Sequence, residues 1–386
     1  MEEIKLQELL NNIYRNRIGK KEIKAVERVL KEGRLSYYTS QEVKKFEQNF
    51  AEYLGCKYAI AVTSGTAALH MSLDALEIGH KDEVIIPAFT HIAVPLSILY
   101  QGGMITFADI NPYDYSINVE EIENKITEST KAIIVVHSFG QPAEITRIKK
   151  LAKKHGIKVI EDCSHSHGAE MSGKKVGSIG DVGCFSFQES KIMTTGGEGG
   201  MIVTDDQEIA KKCRERIYLG EDLLTYGYRM DSIRAAIGNA QLEKLDQIIK
   251  KRREIADIYA RNLPGFLDKP KVNKTVKCVF NTYPCQVVNK KVRDRLISGL
   301  QKKKIPVEAY IDKPLNKFKV IQKRTDFVTN SSEKFKNSEI ACNRIVLLPV
   351  FPSLNRNQIE ILIKRIKEEF SSLPREYFHF SQCTLP

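Results

Sequence analysis

The stretch Cys184-Phe185-Ser186-Phe187-Gln188-Glu189-Ser190-Lys191-Ile192-Met193-Thr194-Thr195-Gly196-Gly197-Glu198-Gly199-Gly200 decides how this chain is read. A lone lysine, Lys191, follows a short apolar run containing Ser186 and precedes a cluster of glycines. A Schiff-base lysine needs such a setting: a rigid strand to aim it, a hydroxyl for an anion, and glycines that let a flat ring approach the backbone. A solvated lysine beside a glycine turn is the default for any single lysine, so the surrounding chain has to decide.

Outward from this stretch, short apolar runs alternate with helical patterns. Strands are expected at Tyr58–Thr63, Glu83–Pro87, Met104–Ile110, Lys131–Phe139, Lys158–Asp162, Val182–Phe187 and Gly200–Thr204. Helices are expected between several of them, at Thr66–Ile78, His91–Gln101, Val119–Lys125 and Ala143–His155. The strands are β-branched and apolar throughout, as in a sheet covered on both faces. Repeated strand–helix–strand order implies an α/β fold with a mostly parallel sheet, whose ligands sit at the carboxyl ends of the strands. A long helix is expected from Ser232 to about Asn262, closed by Leu263-Pro264-Gly265. Beyond it, shorter strands (Val279–Val288, Arg344–Leu348) mix with amphipathic helices (Lys291–Lys303, Asn357–Phe370). This divides the chain into a large domain, 1–250, that includes a helical N-terminal segment, and a smaller C-terminal α+β domain, 251–386. The tail from Ser371 has no clear pattern.

Composition narrows the function classes. A chain of 386 residues with 42% hydrophobic and 28% charged residues suits a globular protein with a large core. The net charge of +12 is dispersed, apart from Lys302-Lys303-Lys304, with no arginine-rich stripe. It fits a solvated surface with some attraction for anionic substrates, and specific nucleic-acid binding is not expected. The eight cysteines form no C-x-x-C pair, so neither a disulfide framework nor a zinc site is expected, and buried thiols suit a reducing cytoplasm. The N-terminus does not read as a signal peptide, and no apolar run reaches membrane-spanning length. A cytoplasmic protein without membrane partners is therefore expected.

Three further segments carry chemistry. Thr63-Ser64-Gly65-Thr66 follows a strand and opens a helix, where backbone N–H groups and hydroxyls make an anion site. Lys158-Val159-Ile160-Glu161-Asp162 is a strand ending in carboxylates, followed by His165 and His167. A carboxylate there can hold a pyridine nitrogen protonated and make the ring an electron sink. The rivals are a plain loop cap at Asp162 and a metal held by Asp162, His165 and His167; an H-x-H loop without further ligands does not support a metal. Pro87-Ala88-Phe89-Thr90-His91 follows another strand end, where His91 can stack on a flat ring.

In this order the segments resemble the DegT-type sugar aminotransferases, pyridoxal-phosphate (PLP) enzymes of fold type I. The resemblance runs from about Gly33 to Phe370. It includes Ala61-Val62-Thr63-Ser64-Gly65-Thr66-Ala67-Ala68-Leu69, Glu161-Asp162 with His165, Phe185-Ser186-Phe187 with Lys191, Gly197-Glu198-Gly199-Gly200 and Tyr228-Arg229-Met230. It implies an aminotransferase that moves an amino group from glutamate or glutamine to a keto-sugar, nucleotide-linked by the family's commoner pattern, or to a ketocyclitol. Lys191 would form the Schiff base and shuttle the proton, and Asp162 would pair with the pyridinium nitrogen. His165 would lie near the phenolic oxygen. Ser64, Gly65, Thr66 and Ser186 would hold the phosphate, and His91 would stack on the ring. Arg229 would reach a neighbouring subunit's phosphate, so a homodimer with shared active sites is implied.

The chain departs from the pattern at His91, where an aromatic residue is usual; at Gly227, where Asn is usual; and by one extra glycine between Lys191 and Glu198. Phe187-Gln188-Glu189-Ser190-Lys191-Ile192-Met193-Thr194 is more like the ketocyclitol branch. The candidate substrate loop, Tyr310-Ile311-Asp312-Lys313-Pro314-Leu315-Asn316-Lys317, offers lysines and no arginine. The alternatives are a sugar dehydratase of the same fold, whose known relatives replace the lysine with histidine, and a non-catalytic regulator.

Overall fold

The structure, a computed structural model, describes residues 17–218 and 222–374. The start of the expected N-terminal helical segment, most of the patternless tail and Cys383 lie outside the described residues. Among the described residues, no helix is long and apolar enough to cross a membrane.

The apolar runs form one seven-stranded sheet. Its strands are β1 (Tyr58–Val62), β2 (Glu83–Pro87), β3 (Met104–Ala108), β4 (Thr130–Val136), β5 (Lys158–Asp162), β8 (Val182–Ser186) and β9 (Gly200–Thr204). Between β5 and β8 lie the two-residue strands β6 (Glu170–Met171) and β7 (Lys174–Lys175), which form a separate small sheet with β10 (Val276–Lys277). The order across the large sheet is β1-β9-β8-β5-β4-β2-β3. β2, β3, β4, β5 and β8 pair in parallel, while β9 runs antiparallel to both β8 and β1. Every residue of β8 and β9 is buried, which is why their sequences are continuously apolar or small rather than alternating. The helix Gly65–Ala75 packs on β8 and β9.

Two expected strands end earlier than their apolar runs do. The run Lys131–Phe139 leaves the sheet after Val136, and Ser138–Gly140 forms a tight 3-10 turn with Phe139 at φ 56°. Met104–Ile110 ends at Ala108. The single long helix expected from Ser232 is two helices, Ser232–Leu242 and Leu245–Asn262. The break falls at Lys244, whose Nζ pairs with the buried Glu22 at 2.5 Å. Gln241 Nε2 donates to the same carboxylate at 2.9 Å. A buried carboxylate needs such partners, and this junction supplies them.

A second core gathers Ile255 and Tyr259 of the latter helix, Tyr283 and Cys285 of β11 (Tyr283–Gln286), Val346 and Leu348 of β12 (Ile345–Leu348), and the helices Lys290–Lys302 and Arg356–Ser371. The C-terminal half is not confined to this core: Leu315, Ile321, Val328 and Phe335 belong to the large hydrophobic cluster. Leu315 N–H donates to Ala88 O at 2.9 Å and Thr329 N–H to Ile105 O at 3.0 Å, which lays this segment along the ends and edge of the large sheet. Arg252 joins the two cores. It is 1% exposed, and its Nη1 donates to Phe280 O, Asn281 O and Val350 O at 3.1, 3.0 and 2.6 Å.

Candidate active site

Strand ends converge on a cavity of about 730 Å³ at the carboxyl edge of the sheet. β1 hands over to Ser64-Gly65-Thr66 and the helix that follows. Ser64 caps that helix, its Oγ accepting from Ala67 N–H at 3.0 Å. β5 delivers Asp162, β8 delivers Ser186, and the loop after β8 carries Lys191. His91 and His165 also line the cavity. Thus Ser64, Gly65, Thr66, His91, Asp162, His165, Ser186 and Lys191 meet around one space, although they are scattered over more than a hundred residues.

Arg229 does not line this cavity. Its Nη1 donates to Ile217 O at 3.1 Å, and its guanidinium lies 5.4 Å from the centre of the Tyr38 ring. The neighbouring Tyr226 and Tyr228 rings stack with centroids 5.3 Å apart, and Tyr228 OH lies 3.1 Å from His70 Nδ1. A side chain at Gly227 would meet nothing within 4 Å, so the backbone does not require glycine there.

Strand alternation separates the paired carboxylates of Glu161-Asp162. Glu161 faces inward and is saturated: it takes His137 Nε2 at 2.9 Å, Gly177 N–H at 2.9 Å, and the N–H groups of Ile179 and Gly180 at 2.8 and 2.5 Å. Burial alone would raise its carboxyl, yet these donors hold it below the usual range. Asp162 faces the cavity; its Oδ1 accepts from Ser164 N–H at 3.0 Å. Ligand atoms of His137, Glu161 and Cys163 approach one another within 4.8 Å, whereas Asp162, His165 and His167 form no such cluster among the described residues. The donors around Glu161 already account for the former group, so it reads as a structural network.

Burial draws Lys191 below the ordinary amine value, and Asp162, Glu198 and Glu308 partly restore it. Its backbone is clamped, since Arg17 Nη1 donates to Lys191 O at 3.0 Å and Nη2 to Ser190 O at 3.1 Å. A lowered amine loses its proton at lower pH. In cofactor-free protein, Lys191 should therefore react with an amine-directed reagent at lower pH than exposed lysines, in peptide maps taken between about pH 7 and pH 10. Labelling of Lys191 only above the pH at which exposed lysines react would refute this.

His91 stands exposed at the cavity mouth. Its Nδ1 accepts from Ala93 N–H at 3.2 Å, which leaves the proton on Nε2. Partial burial, then the Lys191 charge, keeps it below the usual imidazole value. His165 is lowered further by the same two causes. Its ring stacks near that of Phe139, with centroids 6.3 Å apart and planes at 15°.

Sequence reasoning missed the contribution of the C-terminal half beyond Tyr310. Asn281, Thr282, Glu308, Tyr310 and Phe351 all line the cavity. They arrive because Gly140, at φ 92°, lets the chain around Asn281 pass: a Cβ there would lie 2.8 Å from Phe280 N and Asn281 N. Of the candidate substrate loop, Tyr310 reaches the cavity and its lysines do not. Lys317 pairs with Glu339, and Lys313 Nζ lies 5.9 Å from the Phe318 ring centre. The extra glycine has a local reason: Gly196 adopts φ 99°, and a Cβ there would lie 2.7 Å from Ile237 Cδ1.

The sequence profile of the DegT/DnrJ/EryC1/StrS aminotransferase family matches residues 16–367. The chain belongs to that family. It is 38% identical over 343 residues to a GDP-perosamine synthase of Escherichia coli O157:H7, covering 85% of this chain and 90% of that one. It is 36% identical over 349 residues to a dTDP-3-amino-3,6-dideoxy-alpha-D-galactopyranose transaminase of Aneurinibacillus thermoaerophilus, covering 89% and 93%. Among solved structures, a DegT/DnrJ/EryC1/StrS aminotransferase from Brucella abortus matches with a TM-score of 0.85 at 30% identity, over 92% of this chain and 96% of that one. As a member of the DegT/DnrJ/EryC1/StrS family the chain is a sugar aminotransferase of the α/β PLP fold, and PLP is the cofactor that membership implies.

Proposed function

We propose that this sugar aminotransferase moves an amino group from glutamate or glutamine to a nucleotide-linked keto-sugar, with Lys191 as its catalytic residue. The observation that carries the reading is the meeting of a half-buried lysine, a cavity-facing carboxylate and a helix N-terminus around one space. The donor set suits PLP. A Cβ at Gly65 would lie 2.7 Å from Ser186 Cβ, so glycine keeps the helix N-terminus open beside the Ser186 hydroxyl. Asn281 Oδ1 and Thr282 Oγ1 are buried without a hydrogen-bond partner, as polar atoms awaiting a bound group would be.

When bound, PLP supplies an aldehyde for a Schiff base and a ring that withdraws electrons from the substrate carbon. Lys191 Nζ would hold the cofactor, and as a free amine it would take a proton from the substrate carbon and return it elsewhere on the reacting system. Asp162, its Oδ1 fixed by Ser164 N–H, would keep the proton on the ring nitrogen. Ser64, Gly65, Thr66 and Ser186 would bind the phosphate, His91 would stack on the ring, and His165 would lie near the phenolic oxygen.

The GDP and dTDP in the relatives' names support a nucleotide-linked acceptor. Arg229 against exposed Tyr38, whose ring packs on exposed Tyr218, supports a homodimer in which Arg229 serves the partner's site. We place the boundary between the domains 1–250 and 251–386, with the segment that contains Leu315 and Phe335 docked back on the large one.

Half-reactions test the reading. Glutamate or glutamine should discharge the cofactor's colour. A GDP- or dTDP-linked keto-sugar, added after the amino acid is removed, should restore it. Restoration only by a free ketocyclitol would overturn the nucleotide-linked acceptor. No bleaching by any amino acid would overturn the transaminase reading.

A further inference from the structure

Glu308 has no counterpart among the roles assigned above. It lines the cavity from the C-terminal half, opposite the strand ends that bring Asp162 and Ser186. Its backbone is fixed: Leu347 N–H donates to Glu308 O at 2.8 Å, and Glu308 N–H to Leu347 O at 3.4 Å, as a bridge to β12. The flanking turn is held as well, with Gln301 Nε2 donating to Val307 O at 2.9 Å. Glu308 is exposed, and its carboxylate, which takes no hydrogen bond or ion pair from any described residue, is open to solvent and to a ligand in the cavity. It is close enough to Lys191 for the two charges to act on each other.

A carboxylate presented on a fixed backbone, with no protein donor, is placed to accept from a ligand. The ligands of this site differ sharply in what they offer. An amino-acid donor brings carboxylates, and a nucleotide brings phosphates; both are repelled by Glu308. Among the described residues of this chain no arginine lines the cavity, and Lys191 is the one lysine there. The hexose ring offers neighbouring hydroxyls, and two of them can donate to the two carboxylate oxygens in short, charge-assisted hydrogen bonds.

Building on the sugar-aminotransferase reading, we infer that Glu308 is a specificity-determining residue that accepts hydrogen bonds from ring hydroxyls of the acceptor sugar and turns any phosphate of that substrate away from its own side of the cavity. The keto carbon is thereby fixed relative to Lys191, while the amino-acid donor gains nothing from the residue. Glu308 thus separates two substrates that use the same site in alternation.

The two half-reactions read this directly. Holoenzyme is mixed with glutamate, or with GDP-perosamine, dTDP-3-amino-3,6-dideoxy-alpha-D-galactopyranose or a free aminocyclitol, and cofactor absorbance is followed. For the best amino sugar, Glu308→Gln should lower kcat/KM relative to that for glutamate by about 10- to 100-fold, mostly through KM. Glu308→Asp, with its charge kept and its reach shortened, should fall between. An unchanged ratio, or equal losses in both half-reactions, would overturn the role. Bleaching by glutamate but by no amino sugar in the wild type would instead overturn the sugar reading, and the Glu308 assignment with it.

Discussion

Lys191→Ala should lower turnover by about 10³- to 10⁴-fold, the largest effect of any single substitution in this protein. In the proposed mechanism the alanine variant loses both the covalent anchor and the group that moves the proton, and among the described residues no other lysine lines the cavity to replace it. Borohydride reduction of wild-type holoenzyme should fix the cofactor on the peptide containing Lys191, and the variant should retain no label. A label on another lysine, or turnover within tenfold of wild type, would remove Lys191 from the mechanism. The same variant reports on the assembly. Mixed with Arg229→Ala protein after proven subunit exchange, it should regain activity, because one of the hybrid's two sites then holds both intact residues.

The second large effect is at Asp162. Asp162→Asn is isosteric and should keep the cofactor bound, yet an amide cannot hold the ring nitrogen in its protonated form. A lost charge-assisted hydrogen bond is worth about 1.5–3 kcal/mol, so turnover should fall by at least about 10- to 100-fold. The amide can still accept from Ser164 N–H, so folding should be unaffected. Equal thermal stability with reduced turnover is the expected pair of results. Full turnover would leave Asp162 as the loop cap it resembles in sequence.

The parts of this site legible in sequence share a property: each lies where a strand ends and a loop or helix begins. Ser64, Asp162 and Ser186 announce themselves because the periodicity that marks their strands also marks where the chain leaves the sheet. Glu161 beside Asp162 shows the limit. The two carboxylates look alike in a row of letters, and only the pleat sends one to His137 and the other to the cavity. The break at Lys244 was hidden because helical spacing continues through it; the side chains at the break are tied to Glu22, more than two hundred residues earlier in the chain. Asn281, Thr282 and Glu308 were hidden for the same reason. No local pattern says that a strand-poor stretch will cross a glycine at 140 and close a cavity built by another part of the molecule.

Strand β9 has a mechanical implication. It is the reversed strand of the large sheet, pinned between β8 and β1, and Gly200 at its start lies against Ser64, where a Cβ would come within 2.3 Å of the Ser64 carbonyl oxygen. The loop that bears Lys191 is therefore stitched at one end to the turn that opens the helix N-terminus. Any side chain larger than hydrogen at position 200 would move anchor and anion cup together, and a repair to one would not restore the other. Glu308 hangs from a different fastening, the bridge to Leu347. A change in the wall that carries Glu308 should therefore leave Ser64, Ser186 and the Lys191 loop, secured separately, in alignment.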